Sequence, residues 1–311
     1  MSWKKKGLIY VPDGSKEWAT SHAHVVCVDN SYDDIVRVYY SARDSKGRCM
    51  ASYLDLDAND LSKVIYVNGE PILELGVPGT FDDCGIMPTW FIKTPEEMRL
   101  YYIGWNVRNT IPYHNSLGYA VSQDGVNFQK AFDGPVIDRI PTEPQFSGSA
   151  CVLFDQGIYK MWYLNCTHWH TAVDGKLEPS YHIKYAESPD GIYWKREGKV
   201  AIDYFHPNEG GISRPSVLIE DGIYKMWFSY RGEEDYRDNT KNSYRIGYAE
   251  SEDGIAWQRK DDEVGIDISE SGWDSQMIEY PLVFNHKDEK ILFYNGNGFG
   301  RSGFGYAVYQ Q

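Results

Sequence analysis

Long apolar runs are missing from this chain. No stretch of its 311 residues approaches the length of about 18 that spans a bilayer. The start, Met1-Ser-Trp-Lys-Lys-Lys-Gly7, leads into no apolar segment of the secretory type. Cysteine is scarce and odd in number: Cys27, Cys49, Cys84, Cys151 and Cys166, with no Cys-x-x-Cys pair. That argues against a disulfide framework and against a thiolate zinc site. No block of like charge occurs either. The net charge of −14, from 31 basic and 45 acidic residues, is spread along the chain. An acidic surface repels phosphate backbones and anionic lipid, so neither nucleic acid nor membrane is an expected partner. A soluble, cytoplasmic protein is expected.

What is abundant is aromatic. The chain has 25 Tyr and 10 Trp, residues that pack well on pleated sheets and whose flat rings also suit sugar faces. Helical periodicity is absent between the motifs described next.

One phrase recurs. Tyr119-Ala-Val-Ser-Gln-Asp-Gly-Val-Asn-Phe128 returns as Tyr185-Ala-Glu-Ser-Pro-Asp-Gly-Ile-Tyr-Trp194 and as Tyr248-Ala-Glu-Ser-Glu-Asp-Gly-Ile-Ala-Trp257. Degenerate copies lie at Gly305-Tyr-Ala-Val308 and near Met50-Ala-Ser52. A second phrase precedes it: Asp155-Gln-Gly-Ile-Tyr-Lys-Met-Trp162 matches Asp221-Gly-Ile-Tyr-Lys-Met-Trp227, with Arg37-Val-Tyr-Tyr40, Arg99-Leu-Tyr-Tyr102 and Lys290-Ile-Leu-Phe293 in the same slot. Asp-Gly between alternating apolar runs is a strong hairpin signal, because glycine takes the positive φ without Cβ strain. Each unit therefore reads as four strands. In the fourth these are 215–220, 223–230, 244–250 and 255–259.

Repeated units of about 60 residues with four antiparallel strands predict an all-β, five-bladed β-propeller. One domain is expected over residues 1–311, with blades starting near Ser21, Gly85, Ser147, Ile212 and Ile278. The last unit stops after its third strand. Trp3-Lys-Lys-Lys-Gly7 matches Trp194-Lys-Arg-Glu-Gly198, so residues 3–10 are expected to complete the last blade and close the ring, hiding the edges.

A repeat needs the same core residues in every unit, but the starts of the five first strands differ in their polar residues: His22 and His24, Asp83, Ser147 and Ser149, Arg214, and Glu279. That asymmetry points to a site at the channel mouth. Glu279 and Asp83 are the expected acid–base carboxylates, since sugar hydrolysis commonly takes two. Arg214 is expected to bind an anion, with Arg231 near the mouth. Trp105, Trp169 and Tyr280 are candidates for sugar stacking, and Asp274 is a further acid. His168 and His170 are two apart on a loop; that spacing suits a metal, but no third ligand is evident, and no metal or other cofactor is assigned. A structural or central ion stays open.

Five units with Tyr-Ala-x-Ser-x-Asp-Gly-x-x-Trp hairpins resemble glycoside hydrolase families 32, 43, 117 and 130. The resemblance spans the chain at the level of fold. Families 32 and 43 place Asp, Asp and Glu at the first three blade starts; only Asp83 has a counterpart here. Glu279-Tyr-Pro281 looks like their Glu-x-Pro but falls in the fifth unit. Family 117 is similar in using a histidine as acid, a role the resemblance would give His22 or His24. Family 130 phosphorylases hold the attacking phosphate with basic residues, which would suit Arg214 and the histidines. The resemblance implies an enzyme, hydrolase or phosphorylase, that cleaves or transfers a glycosidic bond in a small saccharide. A non-catalytic propeller that binds sugar or protein is the alternative.

Overall fold

The computed structural model describes residues 1–310. After strand β1 (Trp3–Tyr10), four units follow in order. The first holds β2 (Ser21–Asp29), β3 (Ile35–Arg43), β4 (Cys49–Asp57) and β5 (Asp60–Val67). The second holds β6 (Gly85–Lys93), β7 (Met98–Val107), β8 (Tyr113–Ser122) and the short β9 (Gln129–Lys130). The third holds β10 (Ser147–Asp155), β11 (Ile158–Thr171), β12 (Leu177–Ser188) and β13 (Lys195–Ile202). The fourth holds β14 (Glu209–Glu220), β15 (Ile223–Gly232), β16 (Arg245–Ser251) and β17 (Gln258–Arg259). The chain ends with β18 (Glu279–His286), β19 (Glu289–Asn295) and β20 (Phe304–Tyr309). Each unit is an antiparallel meander. In the last sheet the order is β1-β20-β19-β18, with Trp3 opposite Tyr309. The fourth unit's first strand begins six residues before the expected Pro215, so its polar lead-in is already strand. Among the described residues no helix is long and apolar enough to cross a membrane.

The second strands explain the packing. Tyr40, Tyr102, Tyr163, Phe228 and Phe293 occupy one slot and are fully buried, as are their neighbours Tyr39, Tyr101, Trp162, Trp227 and Leu292. Successive side chains of a strand point to opposite faces, so these sheets are covered on both sides. The first strands touch in succession: β2 with β6, β6 with β10, β10 with β14, β14 with β18, and β18 with β2.

The recurring Ser-x-Asp-Gly phrase has a local and a long-range role. Asp124 Oδ1 accepts the N–H groups of Val126 and Asn127, both at 2.8 Å, while Ser122 Oγ accepts that of Gly125. Asp190 and Asp253 repeat the pattern. The turn then offers its glycine carbonyl to the preceding unit: Tyr39 donates to Gly125 at 2.9 Å, Tyr101 to Gly191 at 2.7 Å, and Trp162 Nε1 to Gly254 at 2.8 Å. At the next junction the phrase is missing, and Trp3 packs edge-on against Trp227 instead, with centroids 6.1 Å apart.

Every first strand carries a register shift near its start, between His24 and Cys27, Pro88 and Trp90, Gly148 and Ala150, Ser213 and Ser216, and Glu279 and Leu282. Bulges of this kind re-aim side chains. Val25, Arg214 and Tyr280 adopt φ values of 53°, 51° and 53° there. Such backbone costs about 1–3 kcal/mol per residue and persists where the surroundings enforce it. Here the N–H of Arg214 is held by Ser149 Oγ (2.9 Å) and that of Tyr280 by Ser229 Oγ (2.7 Å).

Candidate active site

Where the five strand starts converge, a pocket of about 380 Å³ opens. The first unit contributes His24 and Arg43, the second Trp105, Tyr113 and Asn115, the third Tyr181, the fourth Tyr236, Arg237 and Tyr244, and the last Tyr280 and Phe299. It continues inward into about 120 Å³ walled by Phe146, Ser149 and Ser213, sharing Tyr113, Asn115, Tyr181, Tyr244 and Tyr280. A wider hollow of about 630 Å³ lies between outer turns, against Phe132, Pro135, Tyr193 and Trp194. Its only charged lining residue is Lys195, so it lacks the convergent polar groups of a reaction site.

Glu279 opens β18 and has no exposed surface. Neither carboxylate oxygen has a hydrogen-bond partner. Burial pushes its pKa well above the ordinary value, against the pull of Arg43, Tyr280, Arg237 and Arg231. Burial of this kind favours the protonated form of a carboxyl. Three of those four neighbours, Arg43, Tyr280 and Arg237, line the pocket, whereas Glu279 itself lies behind the lining residue Tyr280 and lines neither the pocket nor its inward extension. Arg43 itself keeps a buried Nε without a partner.

Glu178 is the contrasting acid. Burial alone would raise it, but hydrogen bonds from Arg237 (3.0 and 3.1 Å) and Tyr236 hold it below the ordinary range. Two carboxyls near one pocket are thus driven in opposite directions.

His24 lines the pocket, buried beside Cys49; burial and the Arg43 charge hold its pKa well below the usual value, so its ring is neutral. His22 bonds Ser21 Oγ at 2.9 Å and does not line the pocket; burial, Arg43 and Arg301 bring its pKa down to about 4. Tyr280 and Trp105 are lining residues. Arg231 lies behind the wall, its guanidinium 3.7 Å from the centroid of Tyr236 and bonded to Tyr181, Tyr244 and the Pro179 carbonyl. Trp169 also backs the wall, packing on Tyr113 and Phe146.

Other candidates stand elsewhere. Asp83 is half-buried in the loop before β6, where its Oδ2 accepts the Gly79 N–H at 2.7 Å; it is not a lining residue, and no hydrogen bond joins it to Glu279. Its neighbour Asp82 is held by Lys130 and Tyr102. Asp274 is buried in an ion pair with Lys5 (2.7 Å) and accepts from Tyr294, so it fastens β1 instead of facing the pocket. His168 and His170 face Glu233 outside the pocket.

Arg214 departs furthest from its expected role. The bulge turns it inward, fully buried, where it donates to the carbonyls of Thr89 and Val26 on two other first strands. Burial brings its pKa down to about 10, which still leaves it charged at neutral pH. It pairs with no carboxylate and lines neither the pocket nor its inward extension. We expect Arg214→Leu to cost about 1–3 kcal/mol for each carbonyl left unpaired. Urea denaturation measures this, and unchanged stability would show the strut to be dispensable.

The residues that sequence reasoning missed are Arg43, Asn115, Tyr113, Tyr181, Tyr236, Arg237, Tyr244 and Phe299. They come from the far ends of second and third strands and from loops, which the comparison of first-strand starts does not reach. Arg43 ends the Arg37-Val-Tyr-Tyr40 strand, and that position was the one available signal.

No family model matches the chain. The uncharacterized proteins MT1551 and Rv1502 of two Mycobacterium tuberculosis strains are each 37% identical to it over 308 residues, covering 99% of both chains. A 1,2-beta-oligomannan phosphorylase from Thermoanaerobacter sp. is 30% identical over 140 residues, 42% of this chain and 41% of that one. Among solved structures, a BT0996 RGII complex superposes with a TM-score of 0.74 at 16% identity, covering 98% of this chain and 90% of the other. A thermostable family-43 glycoside hydrolase gives 0.69 at 16% identity, covering 94% and 91%. At such identities the likeness is one of fold.

Proposed function

The chain belongs to one family with the Mycobacterium tuberculosis proteins MT1551 and Rv1502, and from that premise we propose that it acts on a glycosidic bond in a small saccharide. The observation that carries this reading is Glu279, a fully buried carboxyl whose pKa burial raises, beside a pocket rich in tyrosine and arginine. The proposed frame is a single domain of five blades, closed by β1. Its support is the succession of first-strand contacts, β2 through β18 and back to β2, together with the pairing of β1 and β20. Rings of the lining stack on sugar faces, and Glu279, buried behind the lining residue Tyr280, is the proposed proton source for the departing glycosidic oxygen.

Attack by phosphate is the favoured form of the reaction. The lining contains no carboxylate to activate water, but it offers Arg43 and Arg237, and Arg43 Nε lacks a partner. A nucleophile that carries its own charge needs no base. The partial likeness to a phosphorylase supports the same reading. Hydrolysis would instead draw its second carboxylate from Glu178 or Asp83.

Incubation with a panel of small oligosaccharides, with and without inorganic phosphate, tests the proposal. Sugar phosphate formed only with phosphate supports phosphorolysis, free sugar alone supports hydrolysis, and binding without turnover overturns catalysis. Phosphate is also expected to raise the melting temperature. At about 100 times its dissociation constant it stabilises by ~2.7 kcal/mol. Arg43→Met should abolish the shift, and Arg214→Leu should keep it on a lower baseline. Equal shifts in wild type and Arg43→Met would mean a general salt effect.

A further inference from the structure

Strands β11 and β12 run on together past their unit's first strand, pairing His168 with Ser180 and Thr171 with Leu177. Alternation along this ribbon sends Trp169 toward Tyr113 and Phe146 and both histidines to the other face. There the fourth unit presents Glu233, the residue after β15. Its Oε1 lies 3.7 Å from His168 Nε2 and 3.8 Å from His170 Nδ1. One ligand atom from each of the three residues falls within 4.8 Å of the others.

The second nitrogen of each ring faces an oxygen. His168 Nδ1 is 3.0 Å from Thr167 Oγ1. His170 Nε2 is buried without a hydrogen-bond partner, and Glu234 Oε1 is 3.4 Å away. A carboxylate behind a histidine fixes its tautomer and raises its basicity as a ligand.

We propose that His168, His170 and Glu233 bind a divalent transition ion, with zinc the natural occupant. Two imidazoles and a carboxylate suit that ion. Bonds of about 2.0–2.1 Å in tetrahedral geometry need ligand atoms roughly 3.4 Å apart, so Glu233 must close on each ring by a few tenths of an ångström, while the two imidazoles, within 4.8 Å of each other, close by up to about 1.4 Å through rotation of the exposed His168 side chain. The fourth position is left to water or ligand. The ion joins the third unit's ribbon to the fourth unit just ahead of Tyr236 and Arg237, and so fixes the segment that carries two pocket residues. The site stands independently of the proposed glycosidic chemistry.

The test is calorimetric titration of chelator-treated full-length protein with zinc and with cobalt(II). We expect one ion per chain. Glu233→Gln and His170→Ala should each weaken binding by more than 100-fold, and Glu234→Gln by about 10–100-fold. His206→Ala, at an exposed histidine outside the cluster, should bind as the parent does. Glu233→Gln keeps size and fold, which the melting temperature of the chelated proteins checks. Absence of binding at micromolar zinc overturns the proposal. So does undiminished binding by Glu233→Gln and His170→Ala, or a cobalt spectrum with thiolate charge-transfer bands.

Discussion

Glu279→Gln is expected to cut turnover by ~10²-fold or more, the ordinary scale of acid catalysis, while leaving the protein folded. Glutamine keeps the size of the side chain but has no proton to give. The loss should shrink on aryl glycosides with good leaving groups, which need little protonation. Stability provides a second reading that needs no substrate. Burial raises the Glu279 pKa in the folded protein. Below about 4.5, the ordinary value, folded and unfolded chains both hold the proton. Above it the unfolded chain releases the proton and the folded one retains it, so stability falls as pH rises toward the raised pKa. The glutamine variant lacks that slope, and its advantage over wild type should widen from about pH 4.5 upward. Melting temperatures of both proteins across that range decide the matter. Parallel curves would mean that Glu279 is ionised in the fold, and the acid would then be sought elsewhere.

Deleting residues 1–10 is expected to destabilise the protein severely. Trp3 is buried, donates from Nε1 to the Val264 carbonyl at 2.9 Å, and meets Trp227 and Tyr309 edge-on. Trp→Ala changes in cores cost about 3–5 kcal/mol, and the deletion also bares the edge of β20. It removes Lys5 from the buried Asp274 as well, leaving a carboxylate without its cation. Trp3→Ala alone should fall in the 3–5 kcal/mol range by urea denaturation. A truncated protein melting at the parent's temperature would rule out a structural role for β1.

The parts of the fold that depend on near neighbours in sequence were readable in advance. Ser122, Asp124 and Gly125 build their turn from atoms within five residues, so the phrase marks a hairpin wherever it occurs. The likeness of Trp3 to Trp194 and Trp257 was enough to send the first strand to the last. The candidate site was far less readable. Asp274 is a candidate acid until Lys5, far away in sequence, is seen to neutralise it. Arg214 looks like a mouth residue until its bulge turns it inward. Tyr236, Arg237 and Phe299 reach the pocket from loops whose course no periodicity encodes. Glu178 gains its meaning only from Arg237. Tyr280 was legible as a lining residue because the difference between repeats, more than any motif, exposed it; the same comparison singled out Glu279, which lies buried behind it.

The pairing of Trp3 with Tyr309 is a contact of very high sequence separation, and contacts of that kind slow folding. Joining strands so distant adds loop-closure entropy, although that cost grows only slowly with length. Until β1 docks, β20 presents an unpaired edge, a state in which strands pair with the wrong neighbours; the last sheet is therefore the part of the fold most exposed to misassembly.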